Sequence, residues 1–346
     1  MFRWFPVLLL LVMASHFAMG QDSSKRIKIL PVPTIGYSPE TRTYIGAVTL
    51  FTIDLYKDSV TRTSNAKFEF NYTWNKQLIF ETEWNYFFKE EKWFTRGRIH
   101  YSEYPDYYYG IGSNTPESNK TLYNSNRLVF EANILKNLGD KLFIGPGIRY
   151  INYNNVSFTD TLNYPELADH STFGVGITLL RDSRNNLLTA TKGYYINFNA
   201  GYNFSQNNYV ETTLDLRIYK TWADKFTWAN RMINVFHFGN PPFYDYSFLG
   251  GDKFVRGYNY GRYRDKNLTS LQTEFRMPLF WRFGLATFGG VSNLFADNFK
   301  PGDSKFNYGL GMRFLVDKHD RTNLRLDYAI GEGENSGFYI SFGESF

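Results

Sequence analysis

The side chains that most often carry chemistry are few and dispersed. The five histidines are His16, His100, His170, His237 and His319, and no H-E-x-x-H or other paired-ligand spacing joins them. There is no cysteine, which removes thiolate-held zinc, iron–sulfur clusters, disulfides and cysteine nucleophiles. No G-x-S-x-G occurs. Ser64-Asn65-Ala66-Lys67 matches S-x-x-K formally, but it reads as a turn entering a strand. Of the histidines, His100 is the best placed to join a strand-borne Ser–His or Asp–His pair, and a structural histidine is the commoner explanation. Gly331-Glu332-Gly333-Glu334 reads as a hairpin tip and not a phosphate cradle, because no helix pattern follows it. The acidic residues lack calcium-loop spacing. These observations argue for no catalytic, metal or cofactor site.

One segment concentrates polar chemistry. Residues 248–265, FLGGDKFVRGYNYGRYRD, place Arg256, Arg262 and Arg264 among Phe254, Tyr258, Tyr260 and Tyr263. Gly250, Gly251, Gly257 and Gly261 permit unusual backbone angles or close approach. The bland reading is a sticky surface loop. The sharper one is that the loop 240–265 folds inward and pins itself through Arg256.

The elements that must hold this loop alternate with period two. Tyr194, Ile196, Phe198, Ala200, Tyr202 and Phe204 share one face, against Tyr195, Asn197, Asn199, Gly201 and Asn203. Leu271, Thr273, Phe275, Met277 and Leu279 oppose Gln272, Glu274, Arg276 and Pro278, and Leu324, Leu326, Tyr328 and Ile330 oppose Arg325, Asp327 and Ala329. Such runs indicate one-sided strands. Their length, roughly 9–11 residues, suits tilted crossing of a bilayer. Aromatic residues gather at their ends, among them Trp74, Trp93, Trp222, Trp228 and Trp281, where polar-tipped rings favour a lipid–water interface.

The runs number about sixteen, as expected for an even-stranded barrel. They cover 29–38, 42–56, 61–75, 76–88, 92–104, 120–137, 140–155, 170–181, 192–204, 208–223, 224–239, 266–280, 282–294, 305–317, 320–331 and 335–346. Tight connections near Asn75, Asp140, Trp281 and Lys318 contrast with long ones at 105–119, 156–169, 239–265 and 295–304. The predicted fold is therefore all-β, a transmembrane antiparallel β-barrel. It also explains how a chain with 19% aromatic residues has a mean hydropathy of −0.41: polar residues line the lumen and rings face lipid.

The first twenty residues have the layout of a signal peptide: Arg3, the apolar run Pro6 to Met13, then Ala18 and Gly20 before a cut at Gln21. Domain organisation is thus 1–20 as removed leader and 21–346 as barrel. The net charge of +5 is spread along the chain and marks no nucleic-acid surface.

Several segments, in order, resemble the BamA/TamA and two-partner-secretion superfamily, also called bacterial surface antigen barrels. Val255-Arg256-Gly257-Tyr258 is similar to its V-R-G-F/Y loop signature. Arg181-Asp182-Ser183-Arg184-Asn185-Asn186 followed by Thr191-Lys192-Gly193-Tyr194 resembles its D-x-R-D-N … P-T-K-G segment, with Asp182, Arg184 and Gly193 as matching positions. Glu274-Phe275-Arg276-Met277-Pro278 resembles E-x-R-x-P, Tyr308-Gly309-Leu310-Gly311-Met312-Arg313 resembles G-x-G-x-R, and Leu324-Arg325-Leu326-Asp327-Tyr328 resembles L-R-x-D-Y/F. Phe338, Ile340, Phe342 and Phe346, placed on one face, resemble the sorting signal of outer-membrane barrels; Glu344 on that face departs from it. Asn185 stands where the family has Asp, Ala190 where it has Pro, and Gly290 where many members have the Asp that pairs with the loop arginine. Arg256 therefore needs other partners, and Asp327 and Glu274 are the candidates.

The resemblance implies a bacterial outer-membrane location and a part in outer-membrane protein assembly, insertion or translocation through a weak seam between first and last strands. Pro31 and Pro33 in the first strand, and Gly337 and Gly343 in the last, would weaken that seam. Export members carry periplasmic repeats before the barrel. Here 21–28 is too short for one, so substrate recruitment would come from a separate protein or not occur. Expected partners are the outer-membrane bilayer and other outer-membrane or periplasmic proteins, with no nucleic acid. Two other roles fit a polar lumen: a passive pore or transporter with a loop plug, and a structural docking subunit of a larger complex.

Overall fold

A computed structural model describes residues 27–38, 42–56, 58, 60–158, 167–223, 225–296, 302–317 and 322–346, with backbone alone at 35–38, 42, 104 and 317. The leader 1–20 and His319 lie outside these residues. Among the described residues no helix is long and apolar enough to cross a membrane.

The first half of the wall comprises β1 (Ile27–Ser38), β2 (Arg42–Ile53), β3 (Ser64–Thr73), β4 (Leu78–Phe87), β5 (Trp93–Tyr108), β6 (Thr121–Gly139), β7 (Leu142–Phe158) and β8 (His170–Asp182). The second half begins with β9 (Gly193–Phe204), β10 (Tyr209–Trp222) and β11 (Phe226–Gly239). Two short strands, β12 (Ser247–Leu249) and β13 (Tyr263–Asp265), pair with each other inside the loop. The wall resumes with β14 (Asn267–Pro278), β15 (Phe283–Phe295), β16 (Lys305–Asp317), β17 (Thr322–Gly331) and β18 (Ser336–Phe342).

Apart from the β12–β13 pair, the strands form one 16-stranded antiparallel sheet in chain order, β11 passing to β14. The sheet curls until β1 and β18 come within 8 Å, Cα to Cα. No ladder joins them among the described residues, and the Tyr44 hydroxyl of β2 reaches over to the Ile340 carbonyl at 3.4 Å.

Period two decides which face is wet. On β8, Phe173, Val175, Ile177 and Leu179 are exposed, while Thr172, Thr178 and Leu180 are buried. On β9, Ile196, Phe198, Tyr202 and Phe204 are exposed, and Tyr195, Asn197 and Asn203 are buried. β16 repeats the pattern, with Phe306, Tyr308, Leu310 and Met312 outward and Asn307 and Arg313 inward. Rings and aliphatics outside and amides and charges inside are the reverse of a water-soluble barrel. A continuous apolar belt of this kind is stable only against lipid. Trp74, Trp93, Trp222, Trp228 and Trp281 all sit exposed at strand ends or in turns.

The structure departs from the sequence expectations at four places. The 74–77 turn lies at the end that carries the long connections, so the tight turn near Asn75 is an exception to the alternation. β5 runs on to Tyr108 because its ladder with β6 continues to the Tyr108–Thr121 pair, well past position 104. β18 stops at Phe342, where Gly343 turns the chain at φ +77 and its N–H donates to the Asn323 carbonyl. Phe346 therefore leaves the outward face shared by Phe338, Ile340 and Phe342, and packs inside with Ala190, Tyr219 and Ala229. Glu344 turns inward with it and is an ion-pair partner of Arg313 at 2.7 Å, not an interfacial carboxylate.

Candidate functional site

The loop between β11 and β14 enters the barrel. Asp245, near its start, accepts from the Thr172 and Tyr209 hydroxyls at 2.7 Å each. The β12–β13 hairpin narrows the loop neck, and Leu249, Val255, Tyr258 and Tyr263 pack with Leu268 and Leu294 of the wall. The loop tip crosses the lumen. Lys253 meets Glu83 of β4 at 2.7 Å, and Tyr260 accepts from Arg127 of β6 at 2.9 Å.

Arg256 is the centre of the lock and is almost completely buried. Its guanidinium donates to Glu274 of β14 at 2.6 Å and to Asp327 of β17, so both candidate carboxylates meet it. The Phe288 ring of β15 lies 3.4 Å beneath the guanidinium carbon. A cation over a ring face is favourable, more so when desolvated. The same two carboxylates are shared by Arg276 at 2.6 Å, by Arg313 at 3.2 and 2.6 Å, and by Arg325 at 3.1 Å. Arg325 continues to Asp252 of the loop at 3.1 Å. Opposite charges alternate through this cluster, as burial of several ions requires.

Local sequence explains how so many charges fit. A side chain on Gly311 would overlap the Asp327 carboxylate and Arg313 guanidinium, its Cβ lying 1.9 and 2.5 Å from them, so this glycine makes the space they occupy. Gly257 sits at φ +105 with its Cα against β17; a Cβ there would lie 2.8 Å from the Ile330 backbone. Its N–H donates to the Tyr339 hydroxyl at 3.0 Å. Tyr258 lies over Gly331, and its hydroxyl donates to the Phe306 carbonyl at 2.6 Å and accepts from the Glu332 N–H at 2.9 Å. Burial pushes that phenol up to about 12. Val255 is buried in the loop cluster. Gly290 lies in a tight place, where a Cβ would sit 2.9 Å from Asn307 Oδ1 and the Leu271 carbonyl.

The 183–192 turn forms a second constellation at the opposite end of the barrel. Asp182 accepts from Arg184 at 2.9 Å and faces Arg62 at 3.5 Å, and Arg184 lies 4.5 Å from the Tyr195 ring. Arg62 pairs with Glu91 at 2.8 Å. Asn185 accepts from the N–H groups of Thr191 and Lys192 at 3.0 and 3.1 Å, an acceptor role that an Asp would also fill. Gly193, at φ +102, closes the turn, with a Cβ position only 2.3 Å from the Ser183 carbonyl. Arg276 ties this turn and the end of β18 to the lock by donating to the Ala190 and Phe346 carbonyls at 3.0 and 2.9 Å.

Sequence reading did not assign Arg276, Arg313, Arg325, Glu344 or Phe288 to the lock, nor Arg62 and Glu91 to the turn. The inward parity of Arg276, Arg313 and Arg325 was legible and that of Glu344 was not; the convergence of these residues from separate strands was not legible either. Ser64 and Lys67 fall on opposite faces of β3: Ser64 accepts from the Phe87 N–H at 2.8 Å, and Lys67 pairs with Glu81 at 2.7 Å. His100 lies in the lumen against Glu81 at 3.3 Å and Ser102 at 3.2 Å. Among the described residues no group of three His, Asp or Glu side chains is placed to hold a metal ion.

Sixteen antiparallel strands with an apolar exterior, an ionic lumen and a loop locked inside define a transmembrane β-barrel of the outer-membrane type. The Omp85 superfamily domain matches residues 41–346, and the chain belongs to that superfamily. Among solved structures it is similar to BamA from Haemophilus ducreyi lacking POTRA domains 1–3, with 12% identity, a TM-score of 0.57, and coverage of 92% of this chain and 70% of that one. It is also similar to CdiB from Acinetobacter baumannii, with 13% identity, a TM-score of 0.58, and coverage of 91% of this chain and 60% of that one. No curated protein matches it.

Proposed function

We propose that the chain is a bacterial outer-membrane component of protein assembly, insertion or translocation, and that it acts through the seam between β1 and β18. The observation that carries this reading is the seam itself: among the described residues the two strands lie side by side without a ladder, whereas every other neighbouring pair of wall strands is laddered. β1 has Pro31 and Pro33, which supply no N–H to a partner, and β18 spans only 7 residues against 12 in β1. Such an edge is cheap to open, and an open edge is a template for another strand.

On this reading Arg256 and its carboxylates hold the loop so that the wall keeps its shape when the seam parts. The Asp182–Arg184 turn braces the opposite end, and Phe338, Ile340 and Phe342 belong to the sorting signal. Substrates would reach the barrel through a separate binding protein, and no catalysis is involved. Depletion of the protein should lower the levels of many other outer-membrane proteins, measured by quantitative proteomics of the outer membrane; unchanged levels would overturn the proposal. A second reading, a pore plugged by its loop, is favoured by the loop's anchorage on several walls at once.

A further inference from the structure

Among the described residues, the cations on outward strand rows that lack a carboxylate partner fall in one arc at one end of the barrel. At the end of the wall opposite the long connections, Lys136 of β6, Arg181 of β8 and Lys220 of β10 are exposed and continue the outward rows Ile134–Leu138, Ile177–Leu179 and Ile218–Trp222. Each has an aromatic neighbour on that face. Lys136 is the ladder partner of Trp93, Arg181 lies 5.5 Å from the Tyr194 ring, and Lys220 lies 5.5 Å from the Trp222 ring and is the ladder partner of Trp228. None of the three pairs with a carboxylate among the described residues. Lys141 and Lys225 add exposed charge in the neighbouring turns.

The other half of the rim differs. From β14 through β18 to β2, outward positions at the same end include Leu279, Phe283, Phe314, Leu324, Phe342 and Ile53. Among the described residues the one nearby guanidinium, that of Arg282, is spent on the Leu315 and Val316 carbonyls at 3.4 and 3.1 Å. The seam thus lies in the half without outward cations among the described residues.

We infer that Lys136, Arg181 and Lys220 form a binding arc for the phosphate headgroups of anionic phospholipids, which fixes the wall opposite the seam to the membrane surface. An unpaired cation on a lipid-facing row, just beyond aliphatic residues and beside a ring at the interface, has its stem in hydrocarbon and its charge at headgroup level. Three such cations spread over β6 to β10 follow the curve of a membrane contact; a docked protein would be met by a compact patch. The seam half, with no such cation among its described residues, is left freer to move relative to the surrounding lipid. This inference rests on the barrel standing in a bilayer.

The test is lipid selectivity of the folded full chain in phosphatidylcholine bilayers carrying trace spin-labelled phosphatidylglycerol or phosphatidylcholine. Electron spin resonance reads the motionally restricted fraction of each. Phosphatidylglycerol should be preferred by roughly fivefold in relative association constant, the size of one cation's attraction to an anionic surface, and the preference should fall with added salt. The triple variant Lys136→Gln, Arg181→Gln, Lys220→Gln should lose the preference while restricting as much phosphatidylcholine as before. The charge-keeping variant Lys136→Arg, Arg181→Lys, Lys220→Arg should retain it. Equal restriction of both lipids by the unmodified protein, which a dock for an acidic protein would give, overturns the inference. So does a preference that survives neutralisation. No restricted component at all would instead overturn the bilayer reading.

Discussion

Lys253 and Arg256, three residues apart in one loop, are tied to different walls: Lys253 to Glu83 on β4, and Arg256 to Glu274 on β14 and Asp327 on β17. In the order of the sheet, β4 and β14 are eight strands apart. The loop is therefore a strut across the lumen. Its two anchors differ in environment, since the Lys253 and Glu83 side chains are 51% and 37% exposed, and Arg256 and its partners are at most 1% exposed.

That difference fixes the cost of removing each. Lys253→Ala should lower stability by about 0–1 kcal/mol, as for an exposed pair. Arg256→Ala removes two charge-assisted hydrogen bonds from a buried cluster, Glu274 and Asp327 keeping Arg276, Arg313 and Arg325, and should cost about 3–5 kcal/mol. Arg256→Lys should recover little, because one ammonium cannot replace a fork that reaches two carboxylates and stacks on Phe288. Urea unfolding in detergent micelles, followed by the heat-modifiable mobility of the folded barrel, measures all three. Equal effects for Lys253 and Arg256 would contradict the strut.

Gly257→Ala tests the approach of the loop to β17. The substitution meets the Ile330 backbone at 2.8 Å and imposes a side chain on φ +105. The loop should lift away, breaking the contact from the Gly257 N–H to Tyr339. Protease cleavage within 250–262 should rise in the folded barrel, while the strands stay protected. Gly251→Ala is the comparison: its Cβ has 3.4 Å to the Tyr260 ring, so its effect comes from backbone angle alone and should be smaller.

The wall was largely legible because its signal is local. A period of two over ten residues places Phe198 and Asn197 on opposite faces whatever the neighbouring strand does, and the ladders match the expected runs within a few residues. The lock was half legible. Glu274 and Asp327 could be proposed for Arg256 because they sit on the polar, inward faces of their strands. Arg313 and Arg325 face inward too, but nothing in one sequence states the height at which inward residues of different strands meet. That height depends on strand stagger, which is a property of the whole sheet. Phe346 was misplaced for a different reason. Alternation was extended through Gly343, where a positive φ ends the strand and reverses the face of everything after it.

The seam makes a prediction about covalent closure. Cysteine pairs are scanned between 30–34 on β1 and 337–341 on β18, strands that come within 8 Å Cα to Cα; the pair that reaches the roughly 4.4–6.8 Å a bridge needs should form a disulfide. If the seam works by opening, the bridged protein should fold but fail to support the levels of other outer-membrane proteins, and reductant should restore them. The control is Phe198→Cys with Leu214→Cys, a pair within the β9–β10 ladder, where a bridge closes nothing that opens. Full activity of the seam-locked protein would sink the mechanism.

Deletion of 250–262 separates the assembly reading from the plugged pore. The deleted segment contains Lys253, Arg256, Tyr258 and Tyr260, which bridge the lumen between β4, β6, β14, β16 and β17. The wall should survive. Glu274 and Asp327 keep Arg276, Arg313 and Arg325, so neither carboxylate is left without a cation. With the strut gone, planar-bilayer recordings should show conductance steps larger than those of the intact protein. The lumen's polar lining then holds water where the loop stood. If the protein is an assembly component, the same deletion should lower the levels of other outer-membrane proteins. If it is a pore, the deletion should leave those levels unchanged while increasing uptake of small polar solutes. Unaltered conductance would mean that the loop is not what closes the lumen, and that the 183–192 turn and the segment after β18 close it from the other end.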